Sequence, residues 1–256
     1  MNAPFYLPYY VLIGSVGIIA VLMLGLARAL ERADWPAADR RRVLGITGAV
    51  LVGWFVAVIA LGRGGAFEAG EERIPTIQFG IFIPILIGAW LLWRSPKVKQ
   101  ILDAVPQSWI VGLQLYRALG VIFLILYAGD RLPGLFAWPA GLGDILVGLL
   151  APFVAMAYAR RPEENARTVA AWNIFGLADL AVAVSAGFIT APSPLFAYEP
   201  ANTLISIFPL VLIPTFLVPI SVLLHVASLA KLRQAGRAKR DARNMALASI
   251  QMLSTQ

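Results

Sequence analysis

Long apolar segments separated by short polar loops dominate this chain. Seven segments hold about 20 mostly apolar residues each, the length that an α-helix needs to cross a bilayer. No strand-like alternation of polar and apolar positions occurs, so the pattern predicts an all-α, polytopic membrane protein with a bundle of seven transmembrane helices. The predicted spans are Tyr6–Leu26, Val43–Leu61, Thr76–Trp93, Trp109–Tyr127, Pro139–Tyr158, Thr168–Ile189 and Thr203–Ala230.

Composition supports the same class of protein. Of the 256 residues, 59% are hydrophobic and 14% are charged, whereas about 25% of the residues of a soluble domain are charged. The chain has no cysteine, which excludes disulfides, thiolate catalysis and cysteine-ligated metals. We predict a transmembrane domain over residues 1–230 and a basic cytoplasmic tail over residues 231–256.

The distribution of Lys and Arg predicts the orientation of the bundle. Loops one, three and five together with the tail hold 17 of these residues, and the alternate loops hold three. Because basic residues are retained on the cytoplasmic side, we expect the N-terminus outside and the C-terminus in the cytoplasm.

Five polar residues within the fourth, fifth and sixth spans are the candidates for a site. They are Gln114 and Arg117 in the fourth span, Asp144 in the fifth, and Asn173 and Asp179 in the sixth. A charge at the bilayer centre costs at least about 2.5–3.5 kcal/mol and normally faces the bundle and pairs. We therefore predict one cluster on three consecutive helices that serves as a ligand or proton site.

Two interpretations of this cluster stay open. Arg117 and one aspartate form either a structural clamp between helices or a working site. The sequence does not decide whether Arg117 pairs with Asp144 or with Asp179. Because two carboxylates face one guanidinium, one carboxyl group is expected to be protonated or to share a cation or a proton.

The seventh span carries prolines at regular intervals and the only histidine of the chain. Pro209, Pro214 and Pro219 follow one another at intervals of five, and each removes a backbone hydrogen bond and kinks the helix. Ser221 and His225 fall on one face, near the predicted cytoplasmic end of the span. We interpret His225 as a satisfied interfacial residue rather than a catalyst.

The run GLGD at residues 141–144 resembles the GxGD signature of intramembrane aspartyl proteases. The resemblance implies that Asp144 is one catalytic aspartate and Asp179 its partner. In those proteases the partner precedes GxGD and usually follows tyrosine, whereas Asp179 comes later and follows Ala178. A Pro-Ala-Leu element is also missing, and a nearby Arg117 would oppose the shared proton that such a dyad needs.

The middle and the end of the chain are similar to an uncharacterised family of bacterial polytopic inner-membrane proteins. The similarity extends from GLQLYRALG through GLGDILVGLLAPF and WNIFGLADLAVAV to the proline-rich last span. The similarity implies a multi-pass location in the bacterial inner membrane and no assigned activity. We expect a transporter or sensor of a small molecule, ion or proton. The alternatives are an accessory or assembly subunit of a membrane complex, whose charges are purely structural, and an intramembrane protease.

Partners and cofactors follow from the same features. The lipid bilayer is the expected surrounding, and a homo-oligomer or a larger membrane complex stays open. We expect no cofactor, no metal and no nucleic acid, since the basic tail is explained by the retention of positive charge in the cytoplasm.

Overall fold

The computed structural model describes residues 4–68, 76–192, 198 and 200–254, and every regular element in these ranges is a helix. The α-helices are α1 (Leu7–Arg32), α2 (Ala37–Arg63), α3 (Ile77–Arg94), α4 (Pro96–Ala104), α5 (Gln107–Gly112), α6 (Val121–Ala128), α7 (Gly134–Arg160), α8 (Pro162–Thr190) and α9 (Val218–Ser254).

Seven helical segments of the described chain are long and apolar enough to cross a membrane, which confirms the predicted number. The first six cover the predicted spans and extend several of them by a turn or more. The seventh differs, because the predicted span begins at Thr203 whereas the membrane-capable segment runs from Ile213 to Ala242.

The fourth span is not a uniform α-helix. Between α5 and α6 the residues Leu113–Gly120 form a 3₁₀-helix. Runs of this helix longer than three or four residues are uncommon, and a 3₁₀ stretch inside a helix often marks a functional or strained position. This stretch contains both of the polar residues predicted on the fourth span.

The seventh span also begins irregularly. A 3₁₀ turn at Leu204–Ser206 and a π-helix at Ile213–Leu217 precede α9. The π-helix contains Pro214, which has no backbone N–H for the regular ladder. Helix α9 then continues without a break through residue 230, so the division into a domain and a tail stays a prediction.

The outer surface of the bundle is apolar. Large side chains such as Leu86, Phe153 and Trp93 are 66%, 64% and 80% exposed. Only 11% of the 18 residues of α3 are buried. A soluble protein rarely exposes so large a continuous apolar surface. This surface suits a multi-pass membrane protein.

Two apolar clusters form the interior, and the polar residues lie between them along the helices. On the fourth span Val111 belongs to the smaller cluster and Ile122 to the larger one. On α7 the corresponding residues are Val147 and Ala140. The smaller cluster lies towards α4. Helix α9 contacts α4 there, because the ammonium of Lys231 donates to the carbonyl oxygen of Leu102 at 2.7 Å. We call this end of the bundle the α4 end.

Candidate functional site

The 3₁₀ geometry aligns the polar residues of the fourth span. With three residues per turn, positions three apart lie directly above one another. Gln114, Arg117 and Gly120 follow this spacing, and they are the three buried residues of the stretch. The backbone thus directs Arg117 inwards, whereas Leu115 and Leu119 of the same stretch are exposed.

Arg117 binds both carboxylates. Its Nε donates to Oδ1 of Asp144 on α7 at 2.7 Å, and one terminal nitrogen donates to Oδ2 of Asp179 on α8. The other terminal nitrogen, Nη1, donates to the carbonyl oxygen of Gly176 at 3.3 Å. The exposed fraction of the Arg117 side chain is 1%. The choice between the two aspartates, which the sequence left open, is resolved because both are partners.

His225 on α9 extends the network. Its Nε2 lies 3.2 Å from Nη1 of Arg117, and its Nδ1 lies 2.8 Å from Oδ1 of Asn173. A guanidinium can only donate, so Nε2 accepts and the proton of the neutral imidazole is on Nδ1. The Asn173 oxygen then accepts from that N–H. Arg117, Asp144, Asn173, Asp179 and His225 together are called the Arg117 cluster below.

A chain of hydrogen bonds links the Arg117 cluster to the α4 end. The Oγ of Ser228 accepts from Nδ2 of Asn173 at 2.8 Å and from Nε2 of Gln107 at 2.6 Å. Gln107 is at the first turn of α5. A continuous buried polar path therefore runs from Gln107 through Ser228, Asn173 and His225 to Arg117. It passes through the smaller apolar cluster.

Gln114 lies outside this network. Its Nε2 donates to the carbonyl oxygen of Ser221 at 3.0 Å, and Tyr116 meets the Ser221 hydroxyl at 2.5 Å. The Oε1 of Gln114 is buried without a hydrogen-bond partner among the described residues. Three of the five predicted site residues are in contact, because Arg117 binds both Asp144 and Asp179. Asn173 joins them through His225. Gln114, one turn before Arg117, binds the backbone of α9 instead.

The interpretation of His225 as an interfacial residue is wrong. Its side chain is fully buried and packs against Trp172, with ring centroids 5.1 Å apart. The physical reason is the register of the last span. Because the membrane-capable segment begins at Ile213 rather than at Thr203, His225 falls near its middle. Ser221 comes four residues before His225, and Ser228 comes three residues after it. This spacing indicates a polar face on the helix and could have been read from the sequence.

Small residues make room for the charged groups. A Cβ on Gly143 would overlap the carboxylate of Asp179, and a Cβ on Gly176 would overlap the imidazole of His225. Glycine therefore lets α8 approach α7 closely at Gly143 and α9 closely at Gly176, both at the level of Arg117.

Two cavities meet at Asp144. One, of about 60 Å³, extends from Asp144 away from the α4 end, and the other, of about 40 Å³, lies beside Tyr10, Tyr116 and Arg117. Phe123 and Leu180 line both cavities. Each is larger than the roughly 10–15 Å³ that one water molecule occupies by this measure, so each can hold a water molecule or a very small ligand beside Asp144.

The arrangement differs from an aspartyl-protease dyad. In such a dyad two close carboxyl groups share a proton. Here the guanidinium of Arg117 lies between Asp144 and Asp179 and binds an oxygen of each. Within the described part of the chain, no group of His, Asp or Glu side chains has the arrangement of a metal site.

Comparison with known proteins gives a family. A profile described as a domain of unknown function, DUF8737, matches residues 74–233, which is more than half of the chain. The chain belongs to the DUF8737 family. No curated protein and no solved structure matches it. The DUF8737 region contains the whole Arg117 cluster, whereas α1 and α2 precede it.

Proposed function

We propose that this DUF8737 protein is a multi-pass protein of the bacterial inner membrane that takes up a small molecule, an ion or a proton at the Arg117 cluster, as a transporter or a sensor. One observation carries the proposal. Two partly buried carboxylates share a single buried guanidinium beside two cavities.

The charge balance of the cluster supports uptake of a positive species. Arg117 neutralises one of the two carboxylates, and the imidazole of His225 is neutral in the tautomer that accepts from Arg117. One negative charge is left in a poorly solvated interior, where an uncompensated charge is costly. A bound cation or a proton removes this cost, and its release restores it. Loading and unloading therefore change the charge of the cluster, as transport or sensing requires.

The cavities are the better candidates for a route to the carboxylates. The polar path towards the α4 end passes through the side-chain amides of Asn173 and Gln107. These amides are donors and acceptors that do not ionise, so the path positions His225 and Arg117 rather than conducting protons. The Asp144 side chain is 17% exposed and that of Asp179 8%, so Asp144 is the more accessible of the two carboxylates.

A structural role is the second candidate, and the saturation of Arg117 favours it. All three nitrogens of its guanidinium have partners on α7, α8 or α9. Such a clamp would suit an accessory or assembly subunit, alone as a homo-oligomer or in a larger membrane complex. Under this alternative the cluster holds helices together and takes up nothing.

Reconstitution in liposomes tests the proposal. Purified protein is given a proton gradient or a cation gradient, and internal pH or cation content is followed by a dye. We expect flux that is at least tenfold slower in Asp144→Asn and in Asp179→Asn. Asp130→Asn is the matched control, because Asp130 is exposed and has a positive φ, which asparagine tolerates.

A sensor gives a different result in the same preparation. Flux is absent, but the midpoint of thermal unfolding changes with pH or with a cation, and the change disappears in the two cluster variants. The absence of both flux and any Asp-dependent change in unfolding, with all variants folded, contradicts the proposal and favours the structural clamp.

A further inference from the structure

The larger cavity has walls of a particular kind. It extends from Asp144 between the beginnings of α3 and α7, the end of α8 and the π-helix. Almost all of its lining side chains are apolar, and Asp144 is the one ionisable group among them. Three phenylalanines, Phe123, Phe136 and Phe188, contribute to the walls.

Asp144 contributes to the wall of this cavity. Its Oδ1 accepts from Arg117, and its Oδ2 lies close to Gly120 of the 3₁₀-helix. Phe123 and Phe136 pack edge to face, with ring centroids 5.2 Å apart and planes at 73°, so their faces point in different directions. The wall of the cavity therefore combines a carboxylate with aromatic rings.

This lining selects among cations. A metal cation such as Ca²⁺ takes six to eight oxygen ligands, and Mg²⁺ requires an octahedral set. The apolar walls supply no such shell. Organic ammonium groups, by contrast, are recognised by aromatic faces combined with a carboxylate, since their C–H surface is apolar and their charge is attracted by the π-system.

We propose that this cavity binds a small alkylammonium ion, with its charged nitrogen at Asp144 and its alkyl group among Phe123, Phe136 and Phe188. The proposal rests on the proposed function and names the class of ligand for the same cluster. The volume of about 60 Å³ restricts the ligand to a few heavy atoms, because an engineered cavity of about 150 Å³ holds one benzene.

Equilibrium binding of radiolabelled ethylammonium to the purified full chain in detergent tests the proposal. We expect saturable binding that unlabelled ethylammonium competes away and that equal concentrations of K⁺ or of ethanol do not. K⁺ matches the charge and ethanol matches the size without the charge, so the two competitors separate the two parts of the site.

Two variants examine the residues. Asp144→Asn removes the charge, and we expect at least tenfold weaker binding. Phe136→Leu removes an aromatic ring while keeping an apolar side chain, and we expect binding to weaken severalfold. Phe55→Leu is the matched control, because Phe55 is a buried phenylalanine that packs on Phe216 and does not line the cavity. It is expected to bind as the unmodified protein does.

Three results overturn the inference. The unmodified protein has no saturable ethylammonium binding, K⁺ displaces ethylammonium at equal concentration, or Phe136→Leu binds as tightly as Phe55→Leu. If Asp144→Asn does not fold, the comparison of the two phenylalanine variants still decides. The protein could also show gradient-driven flux that needs Asp179 but no binding of ethylammonium. That result refutes the ligand class and leaves the proposed function intact.

Discussion

At the scale of the residue, the shared guanidinium changes what each aspartate contributes. Asp144 and Asp179 each give one oxygen to Arg117, so either alone suffices as a counter-ion. The buried arginine becomes an uncompensated charge only when both are lost. The two carboxylates are thus energetically coupled through a third residue although they lie on different helices.

This coupling gives a stability prediction. Asp144→Asn and Asp179→Asn each leave Arg117 with one ionic partner and remove the surplus negative charge, so each is expected to change the stability of the protein only slightly. The double variant leaves the guanidinium with neutral partners, and losing the counter-charge of a buried ion typically costs about 3–5 kcal/mol. The loss in the double variant should therefore exceed the sum of the single losses. Unfolding in detergent, with all four proteins compared, measures it.

The same cycle distinguishes the two roles of the cluster. Strictly additive losses would mean that Arg117 does not couple the carboxylates. Non-additive losses with unchanged flux favour the clamp. Non-additive losses together with lost flux, in single variants that remain folded, place both aspartates in a working site.

At the scale of the element, α7 and α8 meet where glycine replaces a side chain. Gly143 faces Asp179 so closely that a Cβ would overlap the carboxylate. The segments GLGDILVGLLAPF and GLADLAVAVSAGF are also similar, with six identical positions of thirteen. Their aspartates meet the same guanidinium from adjacent helices, so the small residues before each aspartate belong to the packing that brings the charges together.

Gly143→Ala is expected to destabilise the protein and to displace Asp179 from Arg117. Overpacking of a tight contact costs about 1–3 kcal/mol. Gly53→Ala in α2 is the control, because a Cβ there meets nothing within 4 Å, and alanine should be neutral or stabilising by up to about 1 kcal/mol. Thermal unfolding measures both. An equal response to the two substitutions would contradict the described contact between α7 and α8.

The elements also explain what the sequence could and could not predict. Arg117, Asp144 and Asp179 could be placed together because charge in an apolar span is costly and adjacent spans pack side by side. His225 could not, since hydropathy does not distinguish the 3₁₀ and π segments before α9 from regular helix. Hydropathy does not reveal the 3₁₀-helix around Arg117 either, because its sequence LQLYRALG contains no proline and its one glycine is at its end.

At the scale of the whole molecule, the surface and the interior have opposite characters. Apolar side chains cover the outside, and the buried polar side chains of the described residues concentrate on the fourth span, α8, α9 and the segment that precedes α9. The number of spans could be predicted from hydropathy, because length and apolarity are what a bilayer selects. The two sides of the membrane are distinguished only by charge, through the 17 basic residues in one set of loops and the tail against three in the other.

Sided cysteine labelling measures the orientation, and the absence of natural cysteines makes every signal specific. Gly129 follows α6 and Gln100 lies on α4, and both residues are exposed. If basic loops remain in the cytoplasm, an impermeant maleimide should label Gly129→Cys in cells whose inner membrane is intact. Gln100→Cys should then be labelled only after that membrane is permeabilised. The reverse pattern would place the larger cavity, which extends away from the α4 end, on the cytoplasmic side and would invert the direction from which a cation reaches Asp144.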